Sequence, residues 1–172
     1  MAKRGFLTRH RIVRNAIRED MLYFALPALL VLVAGTGIIV WDLVRQQGGL
    51  YVFSVQNFVG VALIAIAFPI VLVAHITLRR SYSSTLVIRE DHQLITHGIY
   101  RYTRHPIYLG TIMVAIGLPV YASSLYGLLA MSALIPVFLI RIRIEERLLT
   151  DEFGDAYRTY KEATSKLIPF VY

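Results

Sequence analysis

Two separate stretches of the sequence carry polar side chains whose types and spacing could support chemistry. In the first stretch His105 directly precedes Pro106, and Tyr108 follows; in the second, Arg141 and Glu145 are four residues apart. Residues at this spacing share one face of a helix. An arginine can hold a carboxylate through two parallel hydrogen bonds, a glutamate can accept hydrogen bonds from an amino group, and a tyrosine ring can lie against a cation. These residue types predict a small polar site that binds and orients a ligand.

Several common kinds of site are excluded by composition and spacing. The chain has no cysteine, so it has no disulfide framework, no thiolate metal site and no cysteine nucleophile. Its histidines lack the helical i, i+4 pair and the supporting carboxylates of a metal site, so we expect no metal. Gly35-Thr36-Gly37 lies in an apolar run with no strand before it. It therefore predicts close helix packing and not a phosphate-binding loop, and a nucleotide-derived cofactor would need a different kind of site.

The rest of the chain has the composition of a membrane protein. Hydrophobic residues make up 56% of the sequence and charged residues only 17%. No charge occurs from Met21 to Trp41, from Gln46 to Leu78, or from Pro106 to Ile140. Each of these runs is long enough to cross a bilayer as a helix. We therefore expect an all-α, polytopic integral membrane protein that forms a single domain over residues 1–172.

The third apolar run is too long for one span. As a single helix it would extend about 50 Å, whereas the hydrocarbon core is roughly 30 Å thick. The sequence Ala122-Ser123-Ser124, flanked by Tyr121 and Tyr126, predicts a corner with interfacial aromatic residues on either side. The predicted spans are four, near 21–42, 57–78, 106–121 and 125–144.

The basic residues predict the orientation of these spans. Of 18 lysines and arginines, only Arg45 falls on the opposite side of the predicted membrane from the others. The positive-inside rule then places both termini and the 79–105 loop in the cytoplasm, at a prokaryotic inner membrane or the endoplasmic reticulum. The net charge of the chain is +7. Because the basic residues border apolar spans and form no single basic stripe, we expect them to contact anionic membrane lipids and not nucleic acid.

Both ends of the chain have recognisable helical patterns. Residues 1–20 predict a basic amphipathic helix on the membrane surface, although an arginine-rich transit segment would look similar. At the other end we expect the fourth helix to continue through Phe153, a break at Gly154, and a short amphipathic helix over Asp155–Ala163. Tyr157 and Tyr160 on that short helix are expected to pack or to lie at the interface.

Two segments together resemble a known enzyme family. The first reads HQLITHGIYRYTRHPIYLG from His92 to Gly110. The second reads RIRIEERLL from Arg141 to Leu149, and EFGDAY follows from Glu152 to Tyr157. These motifs, within residues 85–172, resemble the isoprenylcysteine carboxyl methyltransferase family and, more loosely, the membrane phospholipid methyltransferases. The sequence departs from many relatives at Ser81–Thr85, where they carry a polar amide or a tryptophan-serine segment.

The resemblance implies S-adenosylmethionine as the cofactor, bound at the cytosolic membrane surface by a helical fold. It implies a lipophilic acceptor, most simply the carboxylate of an isoprenylcysteine-like substrate. Arg141, facing the acceptor, and His105 would be the catalytic residues. The residues implied to contact the cofactor are His92, Gln93, Leu94, Ile95, Tyr100, His105, Pro106, Ile107, Tyr108 and Glu145.

Other functions remain open at this point. A carboxylate acceptor is ionised at neutral pH and needs no general base. The amine of a phosphatidylethanolamine-type phospholipid would need one, and Glu146 or His105 could serve. Sterol reductases share a similar carboxyl-terminal motif and use NADPH, but they are longer. A non-catalytic membrane binding protein of the same architecture would bind the cofactor without turnover.

Overall fold

The computed structural model describes residues 21–46, 54–78 and 94–169, and all regular elements in these ranges are helical. A π-helical turn, Met21–Ala25, leads into the first α-helix, and a 3-10 turn, Gly98–Arg101, precedes the third. The α-helices are α1 (Leu26–Gln46), α2 (Val55–Leu78), α3 (Pro106–Tyr121), α4 (Leu125–Ser132), α5 (Leu134–Phe153) and α6 (Asp155–Ala163). The all-α prediction is confirmed. The amphipathic helix predicted over 1–20 lies outside the described residues.

Three helical stretches are long and apolar enough to cross a membrane. They are Leu22–Gln46, Val55–Leu78, and α4 with α5 taken together, Leu125–Phe153. The apolar helix α3 has 16 residues and is about 24 Å long, shorter than the roughly 30 Å of a hydrocarbon core. The polytopic membrane architecture is therefore confirmed, and the count of four spans stays a prediction.

The chain reverses between α3 and α4 at the predicted corner. Ser123 adopts a positive φ of 53°, which turns the backbone sharply. Ser124 then caps α4, because its Oγ accepts a hydrogen bond from the Gly127 amide at 3.0 Å. The same hydroxyl donates to Oδ2 of Asp42 at 2.6 Å. This contact fixes the corner against the carboxyl end of α1.

Small residues let α2 and α3 pack closely as an antiparallel hairpin. A Cβ on Gly117 would lie 3.0 Å from the carbonyl oxygen of Gly60 and 2.9 Å from Cγ1 of Ile64, so the two backbones approach where no side chain intervenes. Near the other end of the hairpin, Gly110 of α3 faces Val71 of α2. The start of α3 therefore lies beside the end of α2.

Helix α1 packs antiparallel to the α4–α5 segment. Gly35 contacts Met131, whereas Gly37 has no described atom near the position of its missing Cβ, so the predicted close packing holds for Gly35 only. In the π-helical turn that leads into α1, Phe24 lies against Phe138 of α5 with ring centroids 5.6 Å apart. The beginning of the first membrane helix therefore lies beside the middle of α5.

These up-and-down packings bring distant segments together at one end of the bundle, which we call the site end. It comprises the π-helical turn, the start of α3, the last three turns of α5, and α6 with the segment that follows it. The described cations other than Arg45 belong to these segments or to the 3-10 turn beside them. The structure thus brings the two motif stretches together at one end of the bundle.

The tail folds back on the start of α3. Helix α5 ends at Gly154, which adopts a positive φ of 55°, and α6 follows as predicted. Beyond α6, Ser165 forms an isolated parallel bridge with Thr103. Thr103 also donates from its Oγ1 to the carbonyl oxygen of Leu167 at 2.8 Å. The carboxyl-terminal segment therefore forms one wall of the site end.

Candidate functional site

A hydrogen-bonded relay joins the two motif stretches. Arg141 donates from Nε to Oη of Tyr108 at 2.9 Å, and Tyr108 donates from Oη to Oε2 of Glu145 at 2.7 Å. Arg141 and Glu145 lie one turn apart on α5, and Tyr108 comes from the first turn of α3. The spacing of the sequence placed the arginine and the glutamate on one face; the structure adds the tyrosine that links them.

An aromatic wall covers Arg141. The residue is only 4% exposed, and Cζ of its guanidinium lies 4.0 Å from the centroid of the Phe24 ring. Phe138, one turn earlier on α5, contacts both Phe24 and the ring of Tyr108, the latter at 5.4 Å between centroids. A cation held over a ring face and shielded from water is stabilised electrostatically. The sequence analysis missed Phe24, whose aromatic character at a span boundary resembled that of an ordinary interfacial residue.

His105 lies between the two adjacent glutamates of α5. Its ring is buried and stacks on Tyr108 at 5.5 Å between centroids. Nδ1 is 4.0 Å from Oε2 of Glu145, and Nε2 is 3.6 Å from Oε1 of Glu146. Within the described residues Nε2 has no hydrogen-bond partner, and the side chain does not cap α3. Nε2 is therefore buried next to the Glu146 carboxylate.

The carboxylate of Glu146 forms ion pairs with two basic side chains. Arg104 donates from Nε to its Oε1 at 2.8 Å, and Nζ of Lys161 lies 3.6 Å from its Oε2. All three side chains belong to different segments of the site end. The carboxylate is therefore engaged in ion pairs and is not free to take up a proton as a general base. The sequence analysis counted Arg104 among the cations but did not predict this contact, although the residue directly precedes His105.

The tyrosines of α6 pack, as predicted. Tyr160 donates from its hydroxyl to the carbonyl oxygen of Tyr100 at 2.7 Å, and Tyr157 is fully buried. Burial raises the pKa of Tyr160 to about 12 and that of Tyr157 well above its ordinary value, so both phenols stay neutral at physiological pH. Tyr100 is buried too, with its backbone carbonyl engaged by the tail.

The other predicted cofactor residues lie around this group. Pro106 is buried in the first turn of α3 and Ile107 is half-buried beside it. Leu94 and Ile95 are half-buried in the non-helical segment before the 3-10 turn, which packs against the end of α2. His92 and Gln93 lie outside the described residues. The structure thus brings His105, Tyr108, Arg141 and Glu145 into one group, and the cofactor contacts of the others stay predictions.

Two other histidines, His75 and His97, lie within the described residues. His97 is exposed. His75, in the last turn of α2, is also exposed, and its Nδ1 lies 2.9 Å from the carbonyl oxygen of Val71 in the same helix.

The arrangement can hold a ligand that carries both signs of charge. Arg141 presents a guanidinium to an anionic group, Glu145 presents a carboxylate to an amino group, and the stacked rings of His105 and Tyr108 form a flat surface between them. Tyr108, Arg141 and Glu145 lie on the packed helices α3 and α5, and His105 directly precedes α3. The site is therefore preorganised to orient two reactants, which can supply a large part of a rate enhancement.

Comparisons with known proteins identify the family of the chain. A family model described as phospholipid methyltransferase matches residues 51–156. The chain is 33% identical over 153 residues to protein-S-isoprenylcysteine O-methyltransferase A of Arabidopsis thaliana, a match that covers 87% of this chain and 75% of the relative. It is 32% identical over 118 residues to a probable protein-S-isoprenylcysteine O-methyltransferase of Oryza sativa subsp. indica, covering 67% of this chain and 62% of that protein.

The fold is also similar to that of a solved structure. The match is to the eukaryotic intramembrane Ras methyltransferase, isoprenylcysteine carboxyl methyltransferase, with a TM-score of 0.69 and 22% sequence identity. It covers 83% of this chain and 52% of that one. The chain therefore spans about half to three quarters of the length of these similar proteins.

Proposed function

This chain belongs to the isoprenylcysteine carboxyl methyltransferase family, and we propose that it transfers the methyl group of S-adenosylmethionine to the carboxylate of a prenylcysteine-like lipophilic acceptor. The observation that carries the proposal is the Arg141–Tyr108–Glu145 relay. It places a buried cation for an acceptor carboxylate beside a carboxylate for the cofactor's amino group. Both face the same end of the bundle.

The residues of the site end fit the proposed cofactor. Its amino group suits Glu145, and its carboxylate suits the start of α3, where the His105 side chain makes no capping hydrogen bond. The ring pair of His105 and Tyr108 suits a neighbouring sulfonium cation. When bound, S-adenosylmethionine supplies an electrophilic methyl group. Leu94, Ile95, Tyr100, Pro106 and Ile107 would complete the binding surface, together with His92 and Gln93.

Arg141 and its surroundings favour a carboxylate acceptor. A guanidinium can hold a carboxylate through two hydrogen bonds and repels the ammonium of a phosphatidylethanolamine head group. The carboxylate is already ionised at neutral pH, so the chain has no proton to remove. An amine acceptor requires a base, and Glu146 is engaged by Arg104 and Lys161. The catalytic roles of Arg141 and His105 would thus be to align the two reactants and to keep water out.

Phospholipid N-methylation is the second candidate. It is favoured by the family model, whose description is phospholipid methyltransferase and which covers residues 51–156. His105 is the buried group of the site that could take a proton from an amine. The two candidates therefore differ in the chemistry of the acceptor and not in the cofactor.

The distribution of charge supports a cytosolic site. Of 18 lysines and arginines only Arg45 lies away from the side predicted to be cytoplasmic, and in the described residues Arg45 is at the opposite end of the bundle from the site end. The membrane is proposed to be a prokaryotic inner membrane or the endoplasmic reticulum. Its anionic lipids would contact the cations around the site.

The function is tested by methyl transfer in liposomes that contain the purified protein. We expect radiolabel from the methyl donor to pass to a prenylcysteine with a free carboxylate, but not to the matched carboxamide or to phosphatidylethanolamine. Arg141→Lys should reduce transfer by about tenfold or more, because the single ammonium loses the two-point contact. Labelling of phosphatidylethanolamine alone would establish the second candidate. Saturable binding of the donor with no transfer to any acceptor would indicate a binding protein, and stabilisation by NADPH alone a reductase.

A further inference from the structure

Arg104 joins three segments of the site end through one guanidinium. Its side chain is 7% exposed. Nε donates to Oε1 of Glu146 on α5 at 2.8 Å. Nη1 donates to the carbonyl oxygen of Lys161 at 3.0 Å, to Oγ1 of Thr164 at 3.2 Å, and to the carbonyl oxygen of Thr164. Arg104 itself lies two residues before α3, so it connects α3, α5 and the tail.

The backbone beside Arg104 pairs with the same tail. The Arg104 amide donates to the carbonyl oxygen of Ser165 at 2.9 Å, and the His105 amide donates to that of Lys166 at 3.2 Å. The tail segment 164–167 therefore lies directly along the residues that lead into the site. His105 is joined to this segment through its own amide, so the segment helps to fix the backbone of the histidine.

The shape of the guanidinium explains why an arginine is suited to this position. Its nitrogens point in different directions from one rigid plane, so it can bind Glu146 on one side and the tail carbonyls on the other. A lysine has one nitrogen and cannot reach both groups at once. A glutamine would leave the buried Glu146 carboxylate with less compensation, which is destabilising.

We propose that Arg104 is a positioning residue that holds the tail segment 164–167 against the start of α3, and so fixes His105 and Glu145 in the orientation that cofactor binding requires. The pairing of Arg104 with Glu146 sets α5 against α3 next to the Tyr108–Glu145 contact. The tail contacts of Arg104 then close the site from the third side. The role in cofactor binding rests on the proposed function, whereas the role in holding the tail does not.

The informative variant is Arg104→Gln combined with Glu146→Gln. It removes both buried charges of the Arg104–Glu146 pair, so neither is left uncompensated in the interior, and we expect folding to be retained; Lys161, which also loses its Glu146 contact, is 39% exposed and can be solvated. It also removes the guanidinium that donates hydrogen bonds to the tail. Arg104→Lys is the second variant, because it keeps the positive charge. Arg101→Gln is the matched control, since Arg101 is an exposed arginine of the same segment.

The first measurement follows the tail directly and needs no cofactor. The rate at which trypsin cuts after Lys166 is followed by mass spectrometry in detergent. We expect the double variant to be cut about tenfold faster than the wild type at this bond, whereas Arg101→Gln keeps the wild-type rate. Equal rates in the wild type, the double variant and Arg104→Lys would overturn the proposal.

The second measurement is the dissociation constant of S-adenosylmethionine by isothermal titration. The double variant and Arg104→Lys should bind about tenfold more weakly, even where their thermal midpoints match the wild type. If the role of Arg104 is purely structural, a variant with the thermal midpoint of the wild type should also bind S-adenosylmethionine with wild-type affinity. That result would contradict the positioning role. If the wild type itself does not bind S-adenosylmethionine, the proposed function fails, and the trypsin rates still decide whether Arg104 holds the tail.

Discussion

Tyr108 of α3 donates a hydrogen bond of 2.7 Å to Glu145 of α5, although 37 residues separate them in the chain. The contact depends on the corner that returns the chain between the two helices. It also places the phenolic oxygen where it accepts from Arg141. One hydroxyl thus couples the residue proposed for the acceptor to the residue proposed for the cofactor.

Tyr108→Phe tests this coupling. The variant keeps the ring that stacks on His105 and loses only the hydroxyl, so we expect the free energy of unfolding to fall by about 1 kcal/mol. Methyl transfer should fall roughly tenfold or more, because a hydrogen bond to a charged group on each side is lost. Initial rates and thermal unfolding in detergent provide the two values. Tyr126→Phe, at an exposed tyrosine near the corner, is the control, and an unchanged rate in Tyr108→Phe would contradict the role of the relay.

Phe24→Leu tests the aromatic cover of Arg141. Leucine keeps apolar volume but has no ring face for the guanidinium, which lies 4.0 Å from the Phe24 centroid. We expect KM for the acceptor to rise about fivefold, a cation–π contribution of roughly 1 kcal/mol, with KM for S-adenosylmethionine unchanged. Steady-state kinetics with each substrate varied in turn give both constants. Phe68→Leu, at an exposed position of α2, should change neither, and equal effects of the two variants would argue against the contact.

Gly60→Ala tests the close approach of α2 and α3. The added Cβ would meet the backbone of Tyr121 and lie 2.7 Å from the carbonyl oxygen of Gly117, and backbone cannot move aside cheaply. We expect a loss of about 2 kcal/mol or more in stability. Gly37→Ala is the matched control, because no described atom lies within 4 Å of its added methyl group. Thermal unfolding of the two variants side by side should show a lowered midpoint only for Gly60→Ala.

The proposed orientation can be tested with single cysteines, because the natural chain contains none. Thr96→Cys lies at an exposed position just before the 3-10 turn that adjoins the site end, and Leu125→Cys lies at the exposed start of α4, at the opposite end. In intact cells a membrane-impermeant maleimide should label Leu125→Cys, and should label Thr96→Cys only after permeabilisation. The wild type should remain unlabelled in both conditions. The reverse pattern would place the site on the external face.

The sequence was sufficient for features set by local spacing. The pairing of Arg141 with Glu145 on one face follows from the helical repeat, and the corner at Ala122–Ser124 follows from the thickness of a bilayer. Both are confirmed. Neither argument needs to know which helices are neighbours.

The features that sequence reasoning missed depend on which helices pack together. The bridging position of Tyr108 is set by the register between α3 and α5, which no spacing within one helix reveals. Phe24 differs from a lipid-facing aromatic residue only because Arg141 lies beneath it. Arg104 is buried by a tail that lies about sixty residues away along the chain. In the sequence it is one basic residue among many, and nothing near it in the chain indicates these contacts.

The parallel bridge between Thr103 and Ser165 has a consequence for biosynthesis. Because synthesis runs from the amino to the carboxyl end, the described membrane helices are made before residues 164–167, and the contacts of this segment with Thr103, Arg104 and His105 can form only after those helices have been made. A chain truncated after Ala163 would retain every helix seen here yet lack the strap beside His105. Copies whose synthesis stops at Ala163 would therefore lack the contacts through which, in our proposal, the tail segment 164–167 and Arg104 position His105.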